Sequence, residues 1–438
     1  VSLRKKIKFK LNLVLFILLP QLAWAQGSQV DIVYSGNIDG ELEPCGCSVE
    51  GDLGGILRQS SSIQKLRHEK PDLIALSSGG LIVSMVPQDK LTAEYILKAY
   101  SILKFDAVGL QWNDLAYGDE FASENKLNWV SSNRNGEAFS DNRTITRGDQ
   151  KLTFFSWLDP ASSPQMAMQI EHNGQVENDI DALKKHLKQA QQNGLTVLST
   201  TLTLEQAKAL PLQYVDILLI RAAYEVFGEP KQINNTLVLQ PGSRGMRLGR
   251  LSLTLADDGR IAKFEHEVIS MPTSVEDDAE LLGWYEEYNN KVKQAYLKRV
   301  ELRKSLETGE SPYVGEEACK NCHQKEHDIW SETLHSNAFA KLEQVNKAFD
   351  PACIKCHTVG FEESGGFIDF DATPHLMNVQ CESCHGAGRV HVESAGFEST
   401  KNIDWQPEQV CAQCHVQKHS PSFDLKTYWP RIKHNVTK

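Results

Sequence analysis

Positive charge is in short supply in this chain. Its 438 residues carry 46 Lys and Arg against 57 Asp and Glu, a formal net charge of −11. That balance argues against a nucleic acid or an anionic lipid surface as partner, because both select clustered basic residues. Long hydrophobic runs are equally scarce. Only Leu11–Leu19 stands out; it is short for a membrane span and follows Arg4, Lys5, Lys6, Lys8 and Lys10. With Ala23-Trp-Ala25 ahead of Gln26 it reads as a cleavable secretory signal over residues 1–25. A periplasmic protein with no integral span after cleavage is therefore expected. Cysteine is sparse too: of ten, eight fall in one short motif, leaving only Cys45 and Cys47.

What is present is a fourfold Cys-x-x-Cys-His. The copies are Cys319–Cys322–His323, Cys353–Cys356–His357, Cys381–Cys384–His385 and Cys411–Cys414–His415. This spacing is the attachment signature of c-type haem. Two thiols bond the porphyrin edge and the adjacent imidazole ligates iron from the same turn of chain. Zinc sites pair two Cys-x-x-Cys units or place His at a distance, which leaves the adjacent His of every copy unexplained. Four covalently bound c-type haems are expected, with His323, His357, His385 and His415 as proximal iron ligands. Haem attachment outside the cytoplasm agrees with export, and redox partner proteins are the expected partners. Haem-to-haem contact with other cytochromes is a further expectation.

Ten of the fourteen His lie beyond Tyr313. Beside the four proximal residues stand His327, His335, His375, His391, His419 and His434, six rings for four open iron faces. Two His per iron suits outer-sphere electron transfer, whereas an open face admits substrate. His327 lies one turn after His323 and is expected to face solvent.

Four segments are expected: the signal (1–25), an α/β layered domain (26–273), a connecting helix and linker (274–312), and a loop- and helix-rich haem domain (313–438). In the second segment, short Val/Ile/Leu strands at 30–34, 73–76, 107–110, 129–132, 153–157, 196–199, 215–220, 236–240, 248–255 and 262–269 are spaced by helices at 57–69, 93–103 and 178–193. Ser274–Leu306 reads as one long helix with a stripe of Leu281, Tyr285, Tyr288 and Val292. The haem domain is poor in apolar runs, so its core is expected to be largely porphyrin.

The haem segment resembles the tetrahaem cytochrome c family that includes the electron carrier of hydroxylamine oxidation. The resemblance rests on Tyr313-Val-Gly before the first motif, Trp330-x-x-Thr-x-His335, Gly360-Phe with Gly365-Gly-Phe, Val379-Gln-Cys-Glu-Ser-Cys-His-Gly-Ala-Gly388, and Ser420-Pro-Ser-Phe-Asp with Tyr428-Trp-Pro430. It implies that His335 and His391 are distal ligands and that His434 is a third. In the family's carrier the second-motif haem is five-coordinate; here Thr373-Pro-His375 offers that haem a ligand.

Residues 30–271 resemble the 5′-nucleotidase branch of the calcineurin-like metallophosphoesterases. The carriers are Tyr34-Ser-Gly-Asn-Ile-Asp-Gly40, Gly54-Gly-Ile-Leu-Arg58, Leu76-Ser-Ser-Gly-Gly80, Phe105-Asp-Ala-Val-Gly-Leu110 and Gln240-Pro-Gly-Ser-Arg-Gly-Met-Arg-Leu-Gly249. The family's metal-ligating positions fall here at Asn37 and Asp39, Gly79-Gly80, Trp112-Asn-Asp114, Thr200-Thr201 and Arg221–Tyr224. Two-metal hydrolysis needs carboxylates and imidazoles at such places, so a scaffold without phosphoesterase activity is expected. Cys45 and Cys47 sit in the loop after the first strand, as a redox or soft-metal pair or as a structural one. Electron carriage is the leading reading. A terminal oxidoreductase acting on a sulfur or nitrogen compound at an open haem or at the Cys pair, a ligand- or partner-binding module, and a residual hydrolase are the alternatives.

Overall fold

The computed structural model describes residues 28–44, 52–134, 136–163, 176–220, 227–307, 309–416, 419–420 and 422–434. The expected signal, the Cys45–Cys47 pair and residues 221–224 lie outside the described residues.

Among the described residues, twelve strands build two six-stranded sheets. The first runs β12 (Ile261–Ser270), β11 (Arg247–Leu255), β1 (Gln29–Ser35), β2 (Ile74–Ser77), β3 (Ala107–Gly109) and β4 (Trp129–Val130) in spatial order. The second runs β5 (Arg143–Arg147), β6 (Gln150–Trp157), β7 (Leu195–Thr200), β8 (Ile217–Ile220), β10 (Thr236–Gln240) and β9 (Gly228–Ile233). The centre of each sheet is parallel: β1, β2, β3 and β4 in one, β6, β7, β8 and β10 in the other. Parallel strands need both faces covered, and the alternation of side chains along them provides it. Val30, Ile32 and Tyr34 of β1 face Leu152, Phe154, Val197 and Leu219 between the sheets. Val33 points the other way, into the layer formed with helices α1 (Ile56–Glu69) and α2 (Gln88–Leu103). Phe155, Leu198 and Leu218 likewise meet Leu183 and Leu187 of the helix Ile180–Gln191 on the far side. The result is a helix–sheet–sheet–helix sandwich.

Two strands have no counterpart in the sequence reading. β5 and β9 pair antiparallel at the two edges of the second sheet. Only Ile145 of β5 is buried, and β9 carries Pro230 with no fully buried residue. Edge strands need neither an apolar face nor a complete set of amides, so neither shows the expected pattern.

The connecting helix spans Leu282–Leu306, eight residues shorter at its start than expected. Asp278 holds the preceding chain in a turn against α1, accepting a hydrogen bond from Gln64 Nε2 at 2.7 Å. Tyr288, Val292, Tyr296 and Val300 recur every four residues and are buried, one helical stripe serving two neighbours. The Tyr288 hydroxyl lies 3.1 Å from Thr92 Oγ1 on α2. Tyr296 donates to the Ile368 carbonyl at 3.0 Å and Arg303 to that of Phe367 at 2.8 Å, both in the haem segment.

The haem segment also has more of a side-chain core than expected. Phe339, Leu342, Ile354, Val359, Phe367 and Leu376 are buried and continuous with the sandwich's outer layer. Burying each such side chain stabilises by about 1.5–3 kcal/mol. Single short turns separated by loops contribute these residues, so no apolar run marks them in the sequence.

Candidate functional site

Each Cys-x-x-Cys-His occupies one turn of helix or helix-like backbone. The His amide donates to the carbonyl of the first Cys at 2.9 Å in the first motif and 2.8 Å in the fourth. The second and third motifs lie in helices Pro351–His357 and Cys381–His385. Residues i, i+3 and i+4 share a helix face, so both sulfurs and the imidazole of each motif point one way. All eight motif cysteines and all four motif histidines line a single cavity of about 1620 Å³. That exceeds the ~300–1,000 Å³ of an ordinary ligand pocket.

Facing imidazoles cross this cavity. The ring centroids of His323 and His391 are 6.1 Å apart with planes at 24°. Those of His335 and His415 are 6.1 Å apart, and those of His385 and His434 5.8 Å. With a metal–imidazole bond of about 2.0–2.1 Å, two rings on one metal have centroids roughly 6 Å apart. Hydrogen bonding orients His391, His415 and His434 of these pairs, and His357 of the second motif. Nδ1 of His357 donates to the Ala338 carbonyl and Nδ1 of His391 to that of Glu398, both at 2.7 Å. His434 Nδ1 donates to the Ile432 carbonyl at 3.2 Å, and His415 Nδ1 lies 3.0 Å from Ser420 Oγ. A proton fixed on Nδ1 leaves Nε2 bare for a metal. Burial pushes the His335, His385 and His415 imidazoles below the usual histidine range, toward the neutral form that ligation requires. The donor set and the spacing fit haem.

The motifs lie against one another. Cys319 lies within hydrogen-bonding reach of Cys381, joining the first motif to the third. Cys414 is within reach of Cys356 and near Cys384, joining the fourth motif to both the second and the third. Among the imidazoles, His385 has His323, His391 and His434 for neighbours, and His335 has His415 and His357.

His375 does not join these groups. Its backbone carbonyl accepts from Gln380 Nε2 at 2.8 Å, while the residue is exposed and outside the cavity lining. The expectation for His327 is overturned. It is buried, 9% exposed, with its Nε2 against the Glu316 carboxylate, because the helix Gln324–Ser331 packs back on the turn that precedes the first motif. His419 lines the cavity. Sequence reasoning missed Glu382, whose only signal was a carboxylate between two haem-attaching cysteines; it is 4% exposed.

The cavity extends to the sandwich. Asp39, Glu43, Pro44, Asp52 and Arg58 contribute to its wall. Glu43 forms an ion pair with Lys347 and accepts from the Tyr285 hydroxyl, joining three parts of the chain. Behind this wall the positions of the expected metal site are taken up by internal hydrogen bonds. Gln111 Nε2 donates to Asn37 Oδ1 at 2.9 Å and to the Ser78 carbonyl at 2.8 Å. Asn113 donates to the Ile82 carbonyl at 2.7 Å. Asp114 accepts from the amides of Gly80, Leu81 and Gln111 at 2.9, 2.6 and 3.0 Å.

Fold and site together define a multihaem c-type cytochrome segment joined to a metallophosphoesterase-like sandwich. Residues 318–386 match the family model for cytochrome c554 and c-prime. Cytochrome c-554 of Nitrosomonas europaea is 32% identical over 138 residues, covering 24% of this chain and 59% of that protein. The sandwich resembles a 5′-nucleotidase precursor from Thermus thermophilus, with a TM-score of 0.51 at 14% identity over 62% of this chain and 60% of that one. It also resembles the sulfate thiohydrolase SoxB of the same organism, with a TM-score of 0.52 at 14% identity over 60% of each chain. The chain thus spans about three fifths of the length of each of these relatives. Among the described residues no helix is long and apolar enough to cross a membrane.

Proposed function

We propose that this chain is a periplasmic tetrahaem cytochrome that carries electrons between redox partner proteins, its first domain being a non-hydrolytic scaffold that walls one side of the haem cavity. The observation that carries this reading is the three facing imidazole pairs, His323–His391, His335–His415 and His385–His434. Bound between two imidazoles, haem iron has no open face, which suits one-electron transfer without substrate binding. The twelve residues of the four motifs attach the haems, and the domains divide as 26–273, 274–312 and 313–438 after a signal over 1–25. The scaffold role is supported by Asp114, whose oxygens are engaged by backbone amides, and by Asn37 and Gln111, which bond each other. Haem content per chain, with EPR of the oxidised holoprotein, tests the proposal. Four haems with at least three low-spin are expected; fewer haems or a predominantly high-spin spectrum would overturn it.

A second reading has one observation in its favour. Pro44 and Asp52, which bracket the segment carrying Cys45 and Cys47, both line the haem cavity. A terminal oxidoreductase acting on a sulfur or nitrogen compound would use that end of the cavity. A Cys45→Ser, Cys47→Ser variant that retains turnover of every such compound the native protein converts counts against it.

A further inference from the structure

Cys381 of the third motif is flanked by Gln380 and Glu382, both buried, at 5% and 4% exposed. The first cysteines of the other motifs are flanked by Ala318 and Lys320, Ala352 and Ile354, and Val410 and Ala412, none of which brings a side-chain acceptor. Both side chains beside Cys381 reach back to the first motif. Glu382 accepts from the amides of Gly315 at 2.8 Å and Val314 at 3.1 Å, and Gln380 Oε1 from that of Glu316 at 2.9 Å. These amides lead into the helix Glu316–Lys320, which carries Cys319. Amides at a helix start have no partner within the helix, and the capping position here is Gly315, which has no side chain to serve. The third motif supplies the missing acceptors. Each side chain is also fixed from its own side. Gln380 Nε2 donates to the His375 and Met377 carbonyls at 2.8 and 2.6 Å, and Glu382 accepts from the Gly388 amide at 2.7 Å. Cys319 Sγ lies 3.7 Å from the Gly315 carbonyl oxygen, within reach of Cys381.

We infer that Gln380 and Glu382 are positioning residues that set the first- and third-motif haems against one another, fixing the contact over which an electron passes between them. The inference rests on the tetrahaem carrier reading. Cys319 and Cys381 each bond a porphyrin edge, so sulfurs this close bring two porphyrin edges together. Outer-sphere transfer needs closeness and no new bond. An electron supplied by a reduced partner protein leaves one haem, now ferrous, for the ferric haem beside it, and no proton moves. A buried network with its acceptors met by amides is rigid, so it holds that separation constant. The third motif also adjoins the fourth, through Cys384 near Cys411; the clamp acts on the Cys381 side.

Circular dichroism of the holoprotein in the Soret band tests this. Adjacent porphyrins share excitation and give the band a two-signed shape, whose amplitude falls steeply with their separation. The native protein is expected to show it. Glu382→Ala and Gln380→Ala should each keep four haems and the native low-spin EPR signals while losing part of that amplitude. Glu382→Gln, which keeps one acceptor oxygen, should lose less than Glu382→Ala. A role in stability alone would lower the melting temperature and leave the band shape of the folded protein as it was. Gln380→Ala, which removes no charge, decides the matter if Glu382→Ala does not fold. A native protein without the two-signed band, or native amplitude in the folded alanine variants, overturns the inference. A native protein with fewer than four haems or a predominantly high-spin spectrum counts instead against the carrier reading beneath it.

Discussion

His323 and His391 face one another across the haem cavity, 6.1 Å between ring centroids and 24° between planes, although 68 residues of chain separate them. Helix Cys381–His385 and the short helix Arg389–Glu393 carry His391 back over the first motif. Replacing it should free one iron face. EPR of His391→Ala is expected to show one haem converted from low to high spin with the others unchanged. His375→Ala, altering an exposed residue outside the cavity, should leave the spectrum as it was. A spectrum altered by His375→Ala would contradict the placement described above.

Asp114 should give the sandwich a pH signature. Burial pushes its carboxyl up to about 6, against the opposing pull of its amide donors. The folded state therefore binds a proton that the unfolded state, near pKa 4, has released. Stability from this group is full below about pH 4 and is lost as pH rises through 6, on the order of 2–3 kcal/mol in all. Melting temperatures of native protein and Asp114→Asn across pH 4–7 should converge in slope everywhere except this window, where the variant is flatter. Parallel curves would remove Asp114 as the source.

Gly80 cannot carry a side chain without rearrangement. Its φ is +68°, and an added Cβ would stand 2.5 Å from the Asn37 side chain, which Gln111 holds in place. Gly80→Ala should cost about 1–3 kcal/mol through backbone strain and overpacking, read as an earlier urea midpoint. An unchanged midpoint would show that Asn37 yields freely.

The Glu43–Lys347 ion pair joins the sandwich to the haem segment. Burial drives the Glu43 carboxyl upward while Lys347 draws it down. Lys347→Met removes the cation and leaves the carboxylate in the cavity wall, at an expected cost of about 1.5–3 kcal/mol. Calorimetry should show the sandwich and haem segment melting less cooperatively; a single unshifted transition would deny the pair any such role.

Much of the fold was legible because its strands are buried on two faces. Runs such as Val215–Ile220 and Thr236–Gln240 announce themselves by composition. The edge strands β5 and β9 did not, since a half-exposed strand held by one neighbour needs little apolar surface. The start of the connecting helix was misplaced because Asp278, a plausible residue of a helix's first turn by sequence, is bonded instead to Ser60 and Gln64 of α1. No local pattern records such a partner.

The haem motifs belong to the sequence alone. Covalent attachment asks for two thiols and an imidazole within one turn, a purely local requirement that five consecutive residues satisfy. The residue types at the positions where the resemblance expects metal ligands, Gly79-Gly80 and Trp112-Asn-Asp114, are local in the same way. Which imidazoles oppose one another, that His327 is buried against Glu316 while His375 stands outside the cavity, and that Glu382 is buried against the Gly315 and Gly388 amides were decided only by tertiary structure. Ring-to-ring approach and burial depend on contacts between residues far apart in the chain. Six spare histidines look alike until the backbone brings some of them across a cavity from an imidazole that shares a metal's reach.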